Sequence, residues 1–182
     1  MLKNKTAFIP YGKQTIDADD IAAVTAVLKS DFLTQGPTIP AFEQAFCKYT
    51  GATHGIAVAN ATAALHIACL ALEVSSGDHV WTSPNSFLSS ANCALFCDAS
   101  IDFVDIDKQS FNLCPDALSK KLQQAKKENK LPKVVIPVHF AGQPCDMERI
   151  HALSLEYGFT IIEDASHAVG ASYQGQKIGH CQ

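Results

Sequence analysis

The apolar run Phe159-Thr160-Ile161-Ile162 leads straight into Glu163 and Asp164, with His167 and Gly170 close behind. A short apolar, β-branched run of this kind reads as a buried strand. In open α/β sheets, ligands bind in the crevice beyond the carboxyl ends of the strands. An acid delivered there needs a cation or hydrogen-bond donors, because burying its charge alone is costly. Alternation along a strand points only one of two adjacent acids into the crevice. Ile161 and Ile162 are both apolar, so the pattern leaves open which acid it is.

Two further segments bring residues to strand ends. In VANATAALH, residues 58–66, Asn60, Ala61, Thr62 and Ala63 open a helix just after an apolar run. Small side chains leave the backbone N–H groups accessible and Thr62 adds a hydroxyl, which makes an anion site suited to a phosphate monoester. The same residues also suit a plain helix cap. In WTSPNSFLSS, residues 81–90, Phe87 stands past a strand and a proline turn, where an aromatic ring can stack on a flat ligand or fill core. An acid at the end of the last strand can pair with a protonated pyridine nitrogen and so keep the ring an electron sink. A phosphate site, a ring face and an anion for a ring nitrogen, on three strand ends, together describe pyridoxal 5'-phosphate. No G-x-G-x-x-G follows the first strand and no G-x-x-x-x-G-K-[ST] occurs, so neither a dinucleotide nor a P-loop phosphate site is supported.

The elements that position these residues alternate. A helix is expected over IDADDIAAVTAVLKSD, where Ile21, Val24, Val27 and Leu28 fall at helical spacing. A Gly-Pro loop follows at FLTQGPTIP, then a short helix at AFEQAFCKYTGA closed by Gly51. From there strands and helices take turns: HGIAVA and NATAALHIACLALEV, HVWTSP and SFLSSANCALFCDA, SIDFVDID and CPDALSKKLQQAKKENK, KVVIPVHF and DMERIHALSLEYG, and finally FTIIED. Such alternation predicts an α/β fold with a mainly parallel sheet and helices on both faces. Residues 1–50 read as a helical and loop segment and 51–182 as the cofactor-binding region.

The bulk numbers exclude other classes. The hydrophobic fraction is 47% and the charged fraction 18%, an ordinary globular balance. A net charge of −4 leaves no nucleic-acid footprint. The lysines at 120, 121, 126, 127 and 130 read as a solvated helix face. Seven scattered cysteines without a CxxC read as reduced, mostly buried thiols, and no metal site is expected. The N-terminal MLKNKTAFIPYGK lacks an apolar core of signal-peptide length, so a cytoplasmic protein without nucleic-acid or membrane partners is expected.

The chain resembles the DegT/DnrJ/EryC/StrS sugar aminotransferases, fold type I pyridoxal-phosphate enzymes that aminate keto sugars attached to nucleotides. The resemblance runs nearly end to end, through FLTQGPTIPAFEQAF, VANATAALHIACLAL, HVWTSPNSFLSSANCAL, IDFVDID, IPVHFAGQPCDM and IIEDASHAVGASYQGQKIG. The spelling IPYGKQTIDADDIAAVTAVLKSDFLTQGP is most similar to the branch acting in pseudaminic acid biosynthesis. That branch implies a UDP-linked 4-keto-6-deoxy sugar as substrate, UDP-4-amino-4,6-dideoxy-N-acetyl-β-L-altrosamine as product and L-glutamate as amino donor. By position, the resemblance implies that Thr62 and Ala63 hold the cofactor phosphate and Phe87 stacks on its ring. The resemblance further implies that Asp164 pairs with the ring nitrogen and that His167 lies near the phenolic oxygen. Tyr11, Thr34, Gln35 and Gly36 match the segment that approaches the sugar nucleotide. His139 is expected to be structural.

The resemblance also implies a homodimer and a lysine that forms the Schiff base. In the family that lysine stands in a Ser-Phe-His-x-x-Lys stretch, expected beyond Gln182, as is the small C-terminal domain. Lys177, in an expected hairpin, is a poor substitute. These 182 residues are therefore expected to be the N-terminal part of the enzyme, without turnover of their own and with apolar surface exposed. The competing readings are a dehydratase of the same fold, with histidine in the lysine position, and a non-catalytic cofactor-binding or regulatory module.

Overall fold

The computed structural model describes residues 12–180. The chain divides into two compact units, residues 1–42 and 43–182. In the first, α1 (Ala18–Leu28) starts from a reciprocal cap. The Asp17 carboxylate accepts from the N–H groups of Asp19 and Asp20, and Asp17 N–H donates to Asp20 Oδ2 at 3.0 Å. Three backbone donors are satisfied this way, and the acids suit the positive end of the helix. Helix α2 (Thr38–Thr50) begins in the first unit and ends in the second.

The second unit is built on four parallel strands: β1 (His79–Thr82), β2 (Ser100–Phe103), β3 (Val134–Ile136) and β4 (Thr160–Ile161). Their order across the sheet is β2-β1-β3-β4. Four helices connect and cover them: α3 (Ala61–Ala71), α4 (Ser89–Leu95), α5 (Pro115–Glu128) and α6 (Met147–Tyr157). A small antiparallel hairpin follows, β5 (Ser172–Tyr173) with β6 (Gln176–Lys177). Its two-residue turn puts both Gln174 and Gly175 at positive φ, 48° and 83°, the geometry that matches the twist of paired strands.

Side-chain alternation explains why the sheet needs two helical layers. Val80, Val134 and Ile136 pack in one core with Leu65 and Cys69 of α3 and Cys93 and Ala94 of α4. Their neighbours Trp81 and Val135 face the other way, into a core with Leu118 and Leu122 of α5 and Ile150 of α6. Both faces of β1 and β3 are thus sealed, as continuous apolar runs in parallel strands require. Strand β2, at the edge, is mostly exposed. Lys121 of α5 braces it, donating to the Phe103 carbonyl and pairing with Asp102, both at 2.6 Å.

One expected strand is not there. Residues 54–59 have no regular secondary structure and pair with no described strand. Ile56 is 80% exposed, and Ala57 N–H donates to Glu43 Oε1 at 2.8 Å. A strand exists through its ladder, and β-branched composition supplies only the propensity for one. Helix α3, which follows, buries Leu65 and Cys69 but leaves Ile67 and Leu70 exposed. No helix among the described residues is long and apolar enough to cross a membrane.

Candidate functional site at the carboxyl ends of the strands

The two acids after β4 part ways. Ile161 packs with the α5/α6 core and Ile162 with the α3/α4 core, and the alternation continues into Glu163 and Asp164. Glu163 Oε2 lies 2.9 Å from Nε2 of the buried His139. Asp164, itself buried, turns to α4 and accepts the Ser90 hydroxyl on Oδ2 at 2.6 Å. Its Oδ1 accepts the Ser166 hydroxyl at 2.7 Å and the Ser166 N–H at 3.3 Å. The backbone fixes this register. Asp164 N–H donates to the Pro137 carbonyl at 2.9 Å, and His139 N–H donates to the Asp164 carbonyl at 3.0 Å.

His139 is locked from both sides. Cys145 N–H donates to its Nδ1 at 3.0 Å, which leaves Nε2 to carry the proton towards Glu163. The Cys145 thiol donates to the Val138 carbonyl at 3.2 Å. Burial, with the Glu163 charge as a lesser cause, pushes that thiol up to about 12, so it stays protonated. Asn112 ties down the turn that follows His139. It accepts from Phe140 N–H and donates to the carbonyls of Gln143 and Pro144. Gly142 in that turn has φ of +85°, and a Cβ there would come within 2.9 Å of the His167 carbonyl oxygen.

The other expected residues lie around α4. Asn60 caps α3, its Oδ1 accepting Ala63 N–H at 2.9 Å. The Ala63 donor expected for a phosphate is therefore engaged by the cap. The N–H groups of Ala61 and Thr62, one and two residues past the cap, donate to no described residue. The Thr62 hydroxyl lies 2.5 Å from that of Ser89. Phe87 is 76% exposed, and its carbonyl accepts Ser90 N–H at 3.1 Å. Thr62, Phe87 and Asp164 are thus gathered by two adjacent serines at the start of α4. His167 is exposed, and its side chain bonds to no described residue.

Tyr11 lies outside the described residues. Thr34, Gln35 and Gly36 form a bend in the first unit, with Gln35 at φ 55°. Lys177 donates to the Gly170 carbonyl at 3.1 Å and sits 5.3 Å from the centre of the Tyr49 ring. A cavity of about 470 Å³ opens on the Glu163 side, against α6 and the hairpin. None of Thr62, Phe87, Asp164 or His167 lines it.

Sequence reasoning singled out neither Ser90 nor Asn112. The one available signal for Ser90 is its position three residues after Phe87 on a helix start, which places both on one side of the turn. Its contact with Asp164 spans 74 residues of sequence.

The donor set fits pyridoxal phosphate. Asp164 is a buried carboxylate with neutral donors on both oxygens and no Lys, Arg or His contact among the described residues. Open helix-start N–H groups and an uncovered aromatic ring stand on the same helix-and-strand frame. Parallel sheet, helical layers and strand-end site together define the large-domain fold of the aminotransferases. The chain belongs to the DegT/DnrJ/EryC1/StrS aminotransferase family, whose model matches residues 14–182.

Solved structures agree. An aminotransferase from Psychrobacter cryohalolentis is 31% identical, with a TM-score of 0.82 over 95% of this chain and 42% of its own. PseC from Helicobacter pylori, an aminotransferase involved in pseudaminic acid biosynthesis, is 30% identical, with a TM-score of 0.84 over 93% of this chain and 44% of its own. The sugar aminotransferase Spr1654 from Streptococcus pneumoniae, solved in a PLP-form, is 30% identical, with a TM-score of 0.83 over 94% of this chain and 46% of its own. The chain therefore spans less than half the length of these relatives. Aminotransferases of this family use pyridoxal phosphate.

Proposed function

We propose that these residues form the N-terminal part of a cytoplasmic, homodimeric, pyridoxal-phosphate-dependent sugar aminotransferase. The substrate is a UDP-linked 4-keto-6-deoxy sugar, and L-glutamate donates the amino group. The product is UDP-4-amino-4,6-dideoxy-N-acetyl-β-L-altrosamine, on the way to pseudaminic acid. The observation that carries the reading is Asp164, a buried carboxylate with neutral donors and no cation among the described residues. A buried charge in that state is a receptor for a cation, and the ring nitrogen of the cofactor supplies one.

Each residue then has a physical task. Asp164 accepts the ring N–H and keeps that proton on nitrogen. The N–H groups of Ala61 and Thr62, with the Thr62 hydroxyl, hold the phosphate at the positive end of α3, where Ala63 helps to shape the turn. Phe87 covers one ring face and excludes water from it. His167 donates a hydrogen bond towards the phenolic oxygen. Tyr11, Thr34, Gln35 and Gly36 bind the sugar nucleotide. When bound, the cofactor supplies an electron sink for negative charge at the carbon that bears the amino group.

The test is conversion of the UDP-4-keto sugar by the intact protein with L-glutamate, read as the amino-sugar product by mass spectrometry. The 182-residue chain alone, with no Ser-Phe-His-x-x-Lys stretch, is expected to give no turnover. Product formation by that chain alone, or failure of the intact protein to retain pyridoxal phosphate, would overturn the reading.

A further inference from the structure

Three contacts converge on the first residues of α4. Ser90 Oγ donates to Asp164 Oδ2 at 2.6 Å. Ser90 N–H donates to the Phe87 carbonyl at 3.1 Å. Ser86 Oγ stands 2.5 Å from Ser90 Oγ. A hydroxyl has one proton to give, and that of Ser90 goes to Asp164, so Ser86 donates to Ser90. The result is a directed chain, Ser86 to Ser90 to Asp164, in which the Ser90 hydroxyl both accepts and donates. Ser90 is fully buried, which removes water as a competitor and strengthens the bonds it makes. From a single residue the backbone holds the residue that offers the ring face, and the side chain holds the carboxylate.

We propose that Ser90 is a positioning residue that sets the distance and angle between the Phe87 ring and the Asp164 carboxylate. The proposal rests on the reading of the site as a pyridoxal-phosphate site. Ser166 cannot replace it, because its two bonds go to Oδ1 and come from the adjoining turn. Without Ser90, Oδ2 loses its donor, and a carboxylate held through Oδ1 alone can pivot on the Ser166 bonds and carry Oδ2 away from the ring nitrogen.

The two ways in which Ser90 could act have opposite signs, and this makes the role testable. If Ser90 only drew charge from Asp164, its removal would leave a more basic carboxylate and a ring nitrogen that keeps its proton to higher pH. If Ser90 positions Asp164, its removal lets the ring nitrogen lose its proton at lower pH. The experiment is a pH titration of ring-¹⁵N-labelled pyridoxal phosphate bound to the intact protein and to Ser90→Ala. Nitrogen chemical shift reports protonation, absorbance titration reports affinity, and a thermal melt of the unliganded protein checks that both fold.

The expected result is affinity weakened about tenfold, the value of one hydrogen bond to a charged group, with the nitrogen deprotonating at lower pH in the variant. An unchanged titration, or one displaced to higher pH, overturns the proposal and leaves the cofactor reading intact. Failure of the unsubstituted protein to bind pyridoxal phosphate overturns both. If Ser90→Ala does not fold, Ser86→Ala removes the outer donor of the same chain and is expected to move the titration in the same direction by less. No movement there overturns the proposal.

Discussion

Glu163 and Asp164 are chain neighbours with opposite surroundings. Glu163 meets a histidine whose other nitrogen is already taken by a backbone N–H, so the imidazole can only donate to it. Asp164 meets two serine hydroxyls and an amide, donors that orient a carboxylate without neutralising it. The first acid is tied to the scaffold through His139. The second is buried and oriented, with no Lys, Arg or His contact among the described residues.

The sharpest way to break this contrast is Asp164→Asn. It keeps the shape and removes the charge. Cofactor affinity is expected to fall about a hundredfold or more, since one partner of a buried ion pair is lost. The melting temperature of the unliganded protein is expected not to fall. Parallel absorbance and calorimetric titrations check both halves, and a destabilised but cofactor-competent variant would mean that Asp164 is scaffold after all.

His139→Ala is the mirror experiment. It strips Glu163 and Cys145 N–H of their partner inside a packed region, at an expected cost of about 3 kcal/mol. Urea unfolding of the unliganded protein measures it. If instead stability holds and cofactor affinity alone collapses, the division between the two sides of the strand end is wrong.

A smaller effect sharpens the contrast from outside. Asp78, unlike Asp164, has a cation: Lys133 donates to it at 2.9 Å and to the Glu73 carbonyl at 2.6 Å. The Lys133 hydrogen bond, then the Ser75 N–H, hold the Asp78 carboxyl below its ordinary value of 3.8. A lowered folded-state value contributes stability that is full above the unfolded value and is lost as pH falls through the folded one. Lys133→Met is expected to cost up to about 1 kcal/mol at pH 7. The difference from the unsubstituted protein should shrink as pH drops below 3.8, read from urea midpoints across pH. A pH-independent difference would assign the loss to the Glu73 contact instead.

Much of the architecture is legible in the chain because it depends on local pattern. Pro115 opens α5 at a position where its missing N–H costs nothing. Asp17 and Asp20 announce the start of α1. Val134, Val135 and Ile136 form a run apolar on both faces, which demands a strand covered twice. The Gln174-Gly175 turn between short alternating runs is a hairpin in sequence and in structure. Residues 54–59 mark the limit of this logic, since composition cannot supply the neighbour that a ladder requires.

By itself, then, the sequence determined the order and kind of most elements and brought a helix start, an aromatic ring and two acids to the ends of β-rich segments. These follow from periodicity and from turn and cap chemistry, which act within a few residues. Only the tertiary structure decided which acid faces which side. Ile161 and Ile162 are equally apolar, and the choice is made by what packs against them, α5 and α6 on one side and α3 and α4 on the other. Only there does Ser90 meet Asp164 and His139 meet Glu163, because hydrogen bonds between residues far apart in the chain exist when the fold has brought their atoms within 3 Å.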